Sequence, residues 1–241
     1  MTSATIVLVH GAWADASSWN PVITELQKQG FTVLAPPNLL RGVAGDAAYI
    51  SSFVAQRTSG PVILVGHSYG GFVITNAQLT EDVKALVYVN AFIPDEGEFV
   101  FQLLGGSGSA LDVPDPTTVL DLAAYPGSPD GDLEAFLKPE TVHTAFAQDL
   151  SEDDRLLIAA GQRPAALSAN TAPSGPPSWK DRPTWAVIGT EDRVIPPTLL
   201  RSMAERAGAT ISEVSASHVS MLSHPETAVA AILAAVEATS Q

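Results

Sequence analysis

Gly66-His67-Ser68-Tyr69-Gly70-Gly71 stands between the apolar, β-branched run Val62-Ile63-Leu64-Val65 and the helix-like Phe72-Val73-Ile74-Thr75-Asn76-Ala77. A serine with a glycine two residues away on each side, at a strand-to-helix junction, describes a sharp turn that projects a hydroxyl over the end of the strand. In such a turn the serine backbone is strained and its neighbours crowd it, so glycine at 66 and 70 relieves the clash. The plainer reading makes Ser68 only a helix cap. The glycine spacing and the strand–helix context together favour a nucleophile.

Outward from this turn, short apolar runs recur at Ile6 to Val9, Phe31 to Leu34, Ala85 to Val89, Trp185 to Ile188 and Ile211 to Val214. They read as buried parallel strands. Trp19, Val22, Ile23 and Leu26 repeat at helical spacing, with Gly30 as the stop, and Val229, Ile232, Leu233 and Val236 repeat it after Pro225. Strand alternating with helix predicts a doubly wound α/β sheet, with its ligand site at the carboxyl ends of the strands. From Pro94 to Arg182 the alternation lapses into joints such as Gly105-Gly106-Ser107-Gly108 and Pro126-Gly127-Ser128-Pro129. A stretch this long exceeds an ordinary crossover and predicts an inserted, mainly helical cap at 94–182, with the core at 1–93 and 183–241, the whole forming one structural domain.

The 241 residues suffice for one α/β domain. Hydrophobic residues at 46% against charged residues at 16% describe a globular chain, neither disordered nor membrane-spanning. Twelve basic against 26 acidic residues give a formal charge of -14, which repels phosphate backbones and anionic lipid surfaces. Neither nucleic acid nor membrane is an expected partner, and a homodimer stays open. With no cysteine, thiolate metal sites and cysteine nucleophiles are excluded. No His-Glu-x-x-His, phosphate-binding loop or dinucleotide fingerprint occurs, so neither metal nor cofactor is expected. The start, Met1-Thr2-Ser3-Ala4 running into Thr5-Ile6-Val7-Leu8-Val9, carries no signal-peptide pattern, and the expected address is the cytoplasm.

A serine hydroxyl is a weak nucleophile and needs a base, which in turn needs an orienting group. Beyond the strand Trp185 to Ile188 lies Gly189-Thr190-Glu191-Asp192-Arg193-Val194-Ile195-Pro196, which brings carboxylates. Beyond Ile211 to Val214 lies Ser215-Ala216-Ser217-His218, which brings an imidazole. His218 is favoured by position over His10, His67, His143 and His224. Asp192 is favoured for the acid, with Glu191 one residue away and Asp95, after the strand Ala85 to Val89, as rivals.

These segments, with Val9-His10-Gly11-Ala12-Trp13, resemble the α/β-hydrolase superfamily over nearly the whole chain. The His10 to Trp13 start, Tyr88-Val89-Asn90-Ala91-Phe92-Ile93-Pro94 and the pattern from His218 to Pro225 are similar to small esterases of the plant methylesterase and hydroxynitrile lyase group. The resemblance implies Ser68 as nucleophile, His218 as general base and then acid, and Asp192 as the orienting carboxylate. It also implies backbone amides of Ala12 and Tyr69 as an oxyanion hole. Trp13 and Phe146 are expected substrate-binding residues, with Phe99, Phe101, Leu103, Leu104, Phe136 and Leu137 as further apolar cap stock.

The expected function is hydrolysis of small to medium, largely apolar carboxylic esters through an acyl-enzyme. Lyases of the group carry a lysine beside the histidine, whereas Ser217 and Val219 flank His218 here, which disfavours cyanohydrin cleavage. Cofactor-free haloperoxidase activity and a triad-bearing small-molecule receptor remain as alternatives.

Overall fold

The computed structural model describes residues 4–129 and 131–240. Its strands are β1 (Thr5–Val9), β2 (Thr32–Leu34), β3 (Val62–His67), β4 (Val83–Val89), β5 (Leu120–Ala124), β6 (Leu133–Leu137), β7 (Ala165–Ala166), β8 (Thr184–Gly189) and β9 (Thr210–Val214). Six of them, each where an apolar run predicts one, form a parallel sheet in the order β2-β1-β3-β4-β8-β9. β1, β3 and β8 are buried at every residue, as interior strands covered on both faces must be, while the edge strands β2 and β9 keep partly exposed positions.

The strand order fixes where the helices α1 (Asn20–Lys28), α2 (Val43–Arg57) and α3 (Tyr69–Asn76) lie. The step from β1 to β2 runs toward one edge of the sheet and the step from β2 to β3 toward the other, so right-handed crossovers put α1 and α2 on opposite faces. α3 continues in the direction of α2 and packs against it, whereas the C-terminal helix Pro225–Thr239 packs against α1. The reversal between β1 and β3 opens a crevice beyond their carboxyl ends. His10-Gly11-Ala12 and Ser68 follow those two strands directly.

Within α1, Val22 and Leu26 are buried and Gly30 ends the run at φ 86°. Trp19 belongs instead to the short 3-10 turn Ala16–Trp19, so the helix starts one residue after the periodicity suggests. Residues between β4 and β8 form short helices, a π-helical turn at Val142–Phe146 and a three-stranded antiparallel sheet, β5-β6-β7. Helical residues outnumber strand residues there, as expected, but the small sheet was not anticipated. Its strands read Leu-Asp-Leu-Ala-Ala and Leu-Glu-Ala-Phe-Leu, mostly good helix formers, and cross-strand pairing overrides that preference. Leu104, Leu120, Ala135, Leu137 and Phe146 from this segment join the same buried cluster as the main sheet. Among the described residues, no helix is long and apolar enough to cross a membrane.

α3 approaches the main chain after β4 so closely that a Cβ on Gly71 would lie 2.1 Å from the carbonyl oxygen of Phe92. Backbone on both sides leaves nothing to yield. Gly71→Ala is therefore expected to destabilise the fold by about 3 kcal/mol or more, read as a lowered urea midpoint or loss of soluble protein. A midpoint equal to that of the parent would show that the two segments separate at little cost.

Candidate active site

Ser68 occupies the turn between β3 and α3 with φ 52° and ψ -123°, a conformation rare for any residue with a side chain. Glycines make it attainable. A Cβ on Gly66 would stand 2.7 Å from the Gly70 carbonyl oxygen, one on Gly70 would stand 2.5 Å from that of Val9, and one on Gly11 would meet the Ser68 side chain at 2.6 Å. The amide of Gly71 donates to the Ser68 carbonyl at 2.9 Å and locks the turn.

The structure brings Ser68, His218 and Asp192 together in one hydrogen-bonded line. The Ser68 hydroxyl donates to His218 Nε2 at 2.8 Å, and His218 Nδ1–H donates to Asp192 Oδ2 at 2.7 Å. All three side chains are buried. The amides of Val194 and Ile195 donate to Asp192 Oδ1 at 2.8 and 2.9 Å, and Asn90 Nδ2 donates to Oδ2 at 2.9 Å. The carboxylate thus leaves water for four N–H donors, as a buried charge requires. Glu191 is exposed and accepts from the Ser215 hydroxyl, while Asp95 pairs with Lys180 at 2.9 Å, so neither rival reaches the imidazole.

Residues to which the sequence reading gave no part in the site hold this line in place. Asn90, which follows β4 at φ 44°, also donates to the Ser217 carbonyl at 3.2 Å and accepts from the Ser220 hydroxyl at 2.6 Å. His67 donates from Nε2 to the carbonyl oxygen of His218 at 3.0 Å, and the two rings lie 4.8 Å apart. Burial, and next the neighbouring imidazole of His218, hold His67 well below the ordinary histidine range, so it stays neutral. Around the π-helical turn, Arg193 donates to the Thr144 carbonyl, Gln148 to the Glu191 carbonyl, and the Ser217 amide to Asp149. The segment between β4 and β8 thereby grips both the acid loop and the histidine loop. A polar residue such as Asn90 directly after a strand's carboxyl end was the available signal for this support.

The Ser68 side chain opens into a cavity of about 280 Å³ lined by Ala12, Trp13, Tyr69, Leu104, Leu111 and Leu167 among others. Phe101 and Leu104 reach it, as the apolar cap stock predicts; Phe99, Leu103, Phe136 and Leu137 do not. Trp13, at φ 58°, lines the cavity and donates from Nε1 to the Ala135 carbonyl at 2.8 Å. Phe146 is placed differently from expectation. It is completely buried, with its ring 5.2 Å from the His218 ring and edge-on to Trp13, and it borders a neighbouring groove rather than the Ser68 cavity. The Ala12 amide makes no hydrogen bond within the described residues, and that of Tyr69 lies in the first turn of α3 with no intrahelical acceptor.

The chain matches the alpha/beta hydrolase family model over residues 6–232. It belongs to that family. A carbendazim hydrolyzing esterase from Nocardioides sp. (strain SG-4G) is 33% identical over 114 residues, 42% of this chain and 47% of that protein, so the match spans about half of that relative. A pyrethroid hydrolase from Sphingobium wenxiniae is 28% identical over 94% of this α/β hydrolase and 85% of its own length. Among solved structures, polyneuridine aldehyde esterase superposes with a TM-score of 0.80 at 22% identity, over 97% of this chain and 99% of that one, a likeness of fold.

His10, at the end of β1, is held neutral by its partners. Its Nδ1–H donates to the Gly11 carbonyl at 2.9 Å, and its Nε2 lone pair accepts the Asn38 amide at 2.9 Å. A second proton would face that amide. Burial, the larger cause, lowers its pKa from 6.5 to about 4. The folded state then binds fewer protons than the unfolded chain, so this group's contribution is complete above pH 6.5 and is lost as pH falls toward 4, by roughly 3 kcal/mol in all. The urea midpoint should fall across that window, and His10→Gln should flatten the fall. An unchanged pH slope in His10→Gln would assign the titration elsewhere.

Proposed function

We propose that this α/β hydrolase cleaves small to medium, largely apolar carboxylic esters by two-step acyl transfer. The single observation that carries the reading is the buried line from the Ser68 hydroxyl through His218 to Asp192, with the strained serine opening into an apolar cavity. The names of the two relatives, one an esterase and one a hydrolase, agree with it.

In the first step His218 Nε2 takes the hydroxyl proton as Ser68 Oγ attacks the ester carbonyl. The carbonyl oxygen gains negative charge, which on this reading the amides of Ala12 and Tyr69 stabilise; both lack an acceptor among the described residues, and the latter stands at a helix N-terminus that favours an anion. His218 then gives its proton to the departing alkoxide, leaving the acyl group on Ser68. Water, deprotonated by the same imidazole, attacks the acyl carbonyl, and the returning proton regenerates the serine while the acid departs. Asp192 holds Nδ1–H and so keeps the Nε2 lone pair turned to Ser68. It also stabilises the imidazolium that forms in each step.

The cavity's walls select the substrate. At about 280 Å³ it lies near the lower end of ordinary ligand pockets, and Val100, Leu111, Leu120, Leu122 and Val194 offer aliphatic surface to an acyl or aryl group. Trp13 spans the wall beside the oxyanion turn.

Multiple-turnover hydrolysis of para-nitrophenyl esters graded from acetyl to long acyl tests the reading. The wild type should turn over many equivalents, and Ser68→Ala and His218→Ala should each lose about a thousandfold or more in kcat while binding substrate normally. Tight binding with one turnover or fewer would favour a receptor, and a Ser68→Ala protein as active as wild type would remove the nucleophile assignment.

A further inference from the structure

Besides Ser68, four side chains on the cavity wall carry polar atoms: Trp13, Tyr69, Asp112 and Asn170. Two of them are spoken for. Trp13 Nε1–H is given to the Ala135 carbonyl, and the Tyr69 hydroxyl donates to Asp46 Oδ2 at 2.9 Å, away from any ligand. Burial, and then the Asp46 charge, push the Tyr69 phenol far up, which keeps that donor fixed. Asp112 is exposed and accepts the Gly106 amide, so it belongs to the rim.

Asn170 differs from all of these. It sits on the short helix Leu167–Thr171 and is only 6% exposed, and among the described residues the one hydrogen bond its side chain makes is Nδ2 to the Ala166 carbonyl at 3.2 Å. That bond identifies the nitrogen, because a carbonyl accepts only from N–H. Oδ1, which has room for two hydrogen bonds, therefore has no donor among the described residues. An amide oxygen that loses its water without gaining a donor is costly, and the residues that line this cavity with Asn170 are mostly aliphatic, Leu104 and Leu167 among them.

We propose that Asn170 is a specificity-determining residue, whose Oδ1 accepts a hydrogen bond from an O–H or N–H carried by the substrate at a distance from its ester carbonyl. The proposal rests on the ester-hydrolase reading and narrows it to esters bearing a hydroxyl or a secondary amide within an otherwise apolar frame. Such a site discriminates strongly against an analogue that lacks the donor, because that analogue expels water from Oδ1 and leaves it unpaired.

The test uses para-nitrophenyl esters whose acyl chain carries a secondary amide at successive positions, each paired with the ketone in which a methylene replaces N–H. In the wild type, one amide position should exceed its ketone partner in kcat/KM by about tenfold or more. Asn170→Leu should bring that ratio close to unity through KM. Asn170→Asp should preserve the preference, since a carboxyl oxygen still accepts whatever its protonation state, and it guards against a leucine variant that fails to fold. Equal rates for amide and ketone at every position, or a preference that persists in Asn170→Leu, would overturn the proposal while leaving Ser68-dependent hydrolysis of the plain acyl esters intact. Absence of that Ser68-dependent hydrolysis would instead remove the ester-hydrolase reading, and the proposal with it.

Discussion

The structure turns on how closely the main chains after β1, β3 and β4 approach one another. Ser68 holds φ 52° because its surroundings exclude every alternative, with the Gly11 turn pressed against its side chain, Gly70 against the carbonyl oxygen of Val9, and Gly71 against that of Phe92. Strain of this kind costs on the order of 1–3 kcal/mol per residue and persists only where the neighbouring structure over-determines it. Trp13 and Asn90 share the unusual sign of φ, and each lies just past the carboxyl end of a central strand. Of the four side-chain-bearing residues with this sign of φ among those described, Leu40 lies in the loop after the edge strand β2, and the other three gather at the carboxyl ends of the central strands. The stiffness of a fully buried parallel sheet holds them there.

From that rim a second constraint follows. A carboxylate buried as completely as Asp192 is tolerable only with its lone pairs filled, and the loop supplies two amides while Asn90 and His218 supply the remaining donors. Asn90 reaches them because Gly189 leaves room: a Cβ there would stand 2.4 Å from Asn90 Nδ2. The same asparagine ties down the loop carrying His218, through Ser217 and Ser220. One side chain just past β4 thus ties acid loop and base loop together, and the π-helical turn Val142–Phe146 clamps the two loops as well.

How much of this was legible in the sequence follows from which interactions are local. The central strands of the main sheet are mostly apolar runs, whose burial on both faces leaves little choice of fate, and the Gly66 to Gly71 turn carries its conformation in its glycines. Ser68, Asp192 and His218 could be placed because each follows a strand. The cap was harder. β5 and β6 are built from leucine, alanine and acidic residues that favour helix, and only their pairing with each other and with β7 makes them strands. Phe146 read as a cavity residue because it is aromatic and lies in the cap, but the π-helical turn aims its ring at His218. Asn170 has no pattern around it at all. Its significance comes from the absence of donors on a wall assembled from distant segments.

On the ester-hydrolase reading, that wall also bears on the chemistry. Charge developing on a carbonyl oxygen interacts more strongly with the Ala12 and Tyr69 amides in a cavity of leucine and valine than it would in water, and those donors need not reorient. The same surroundings disfavour a full negative charge away from the donors, so a carboxylate product gains nothing from the aliphatic walls and meets the exposed Asp112 at the rim. The whole chain carries a formal charge of -14, and among the described residues no basic side chain lines the cavity to hold the product back. An apolar pocket in an acidic protein therefore suits a neutral ester that becomes an anion. Binding favours the reactant, the two amides serve the transition state, and the product is left with the weakest hold of the three.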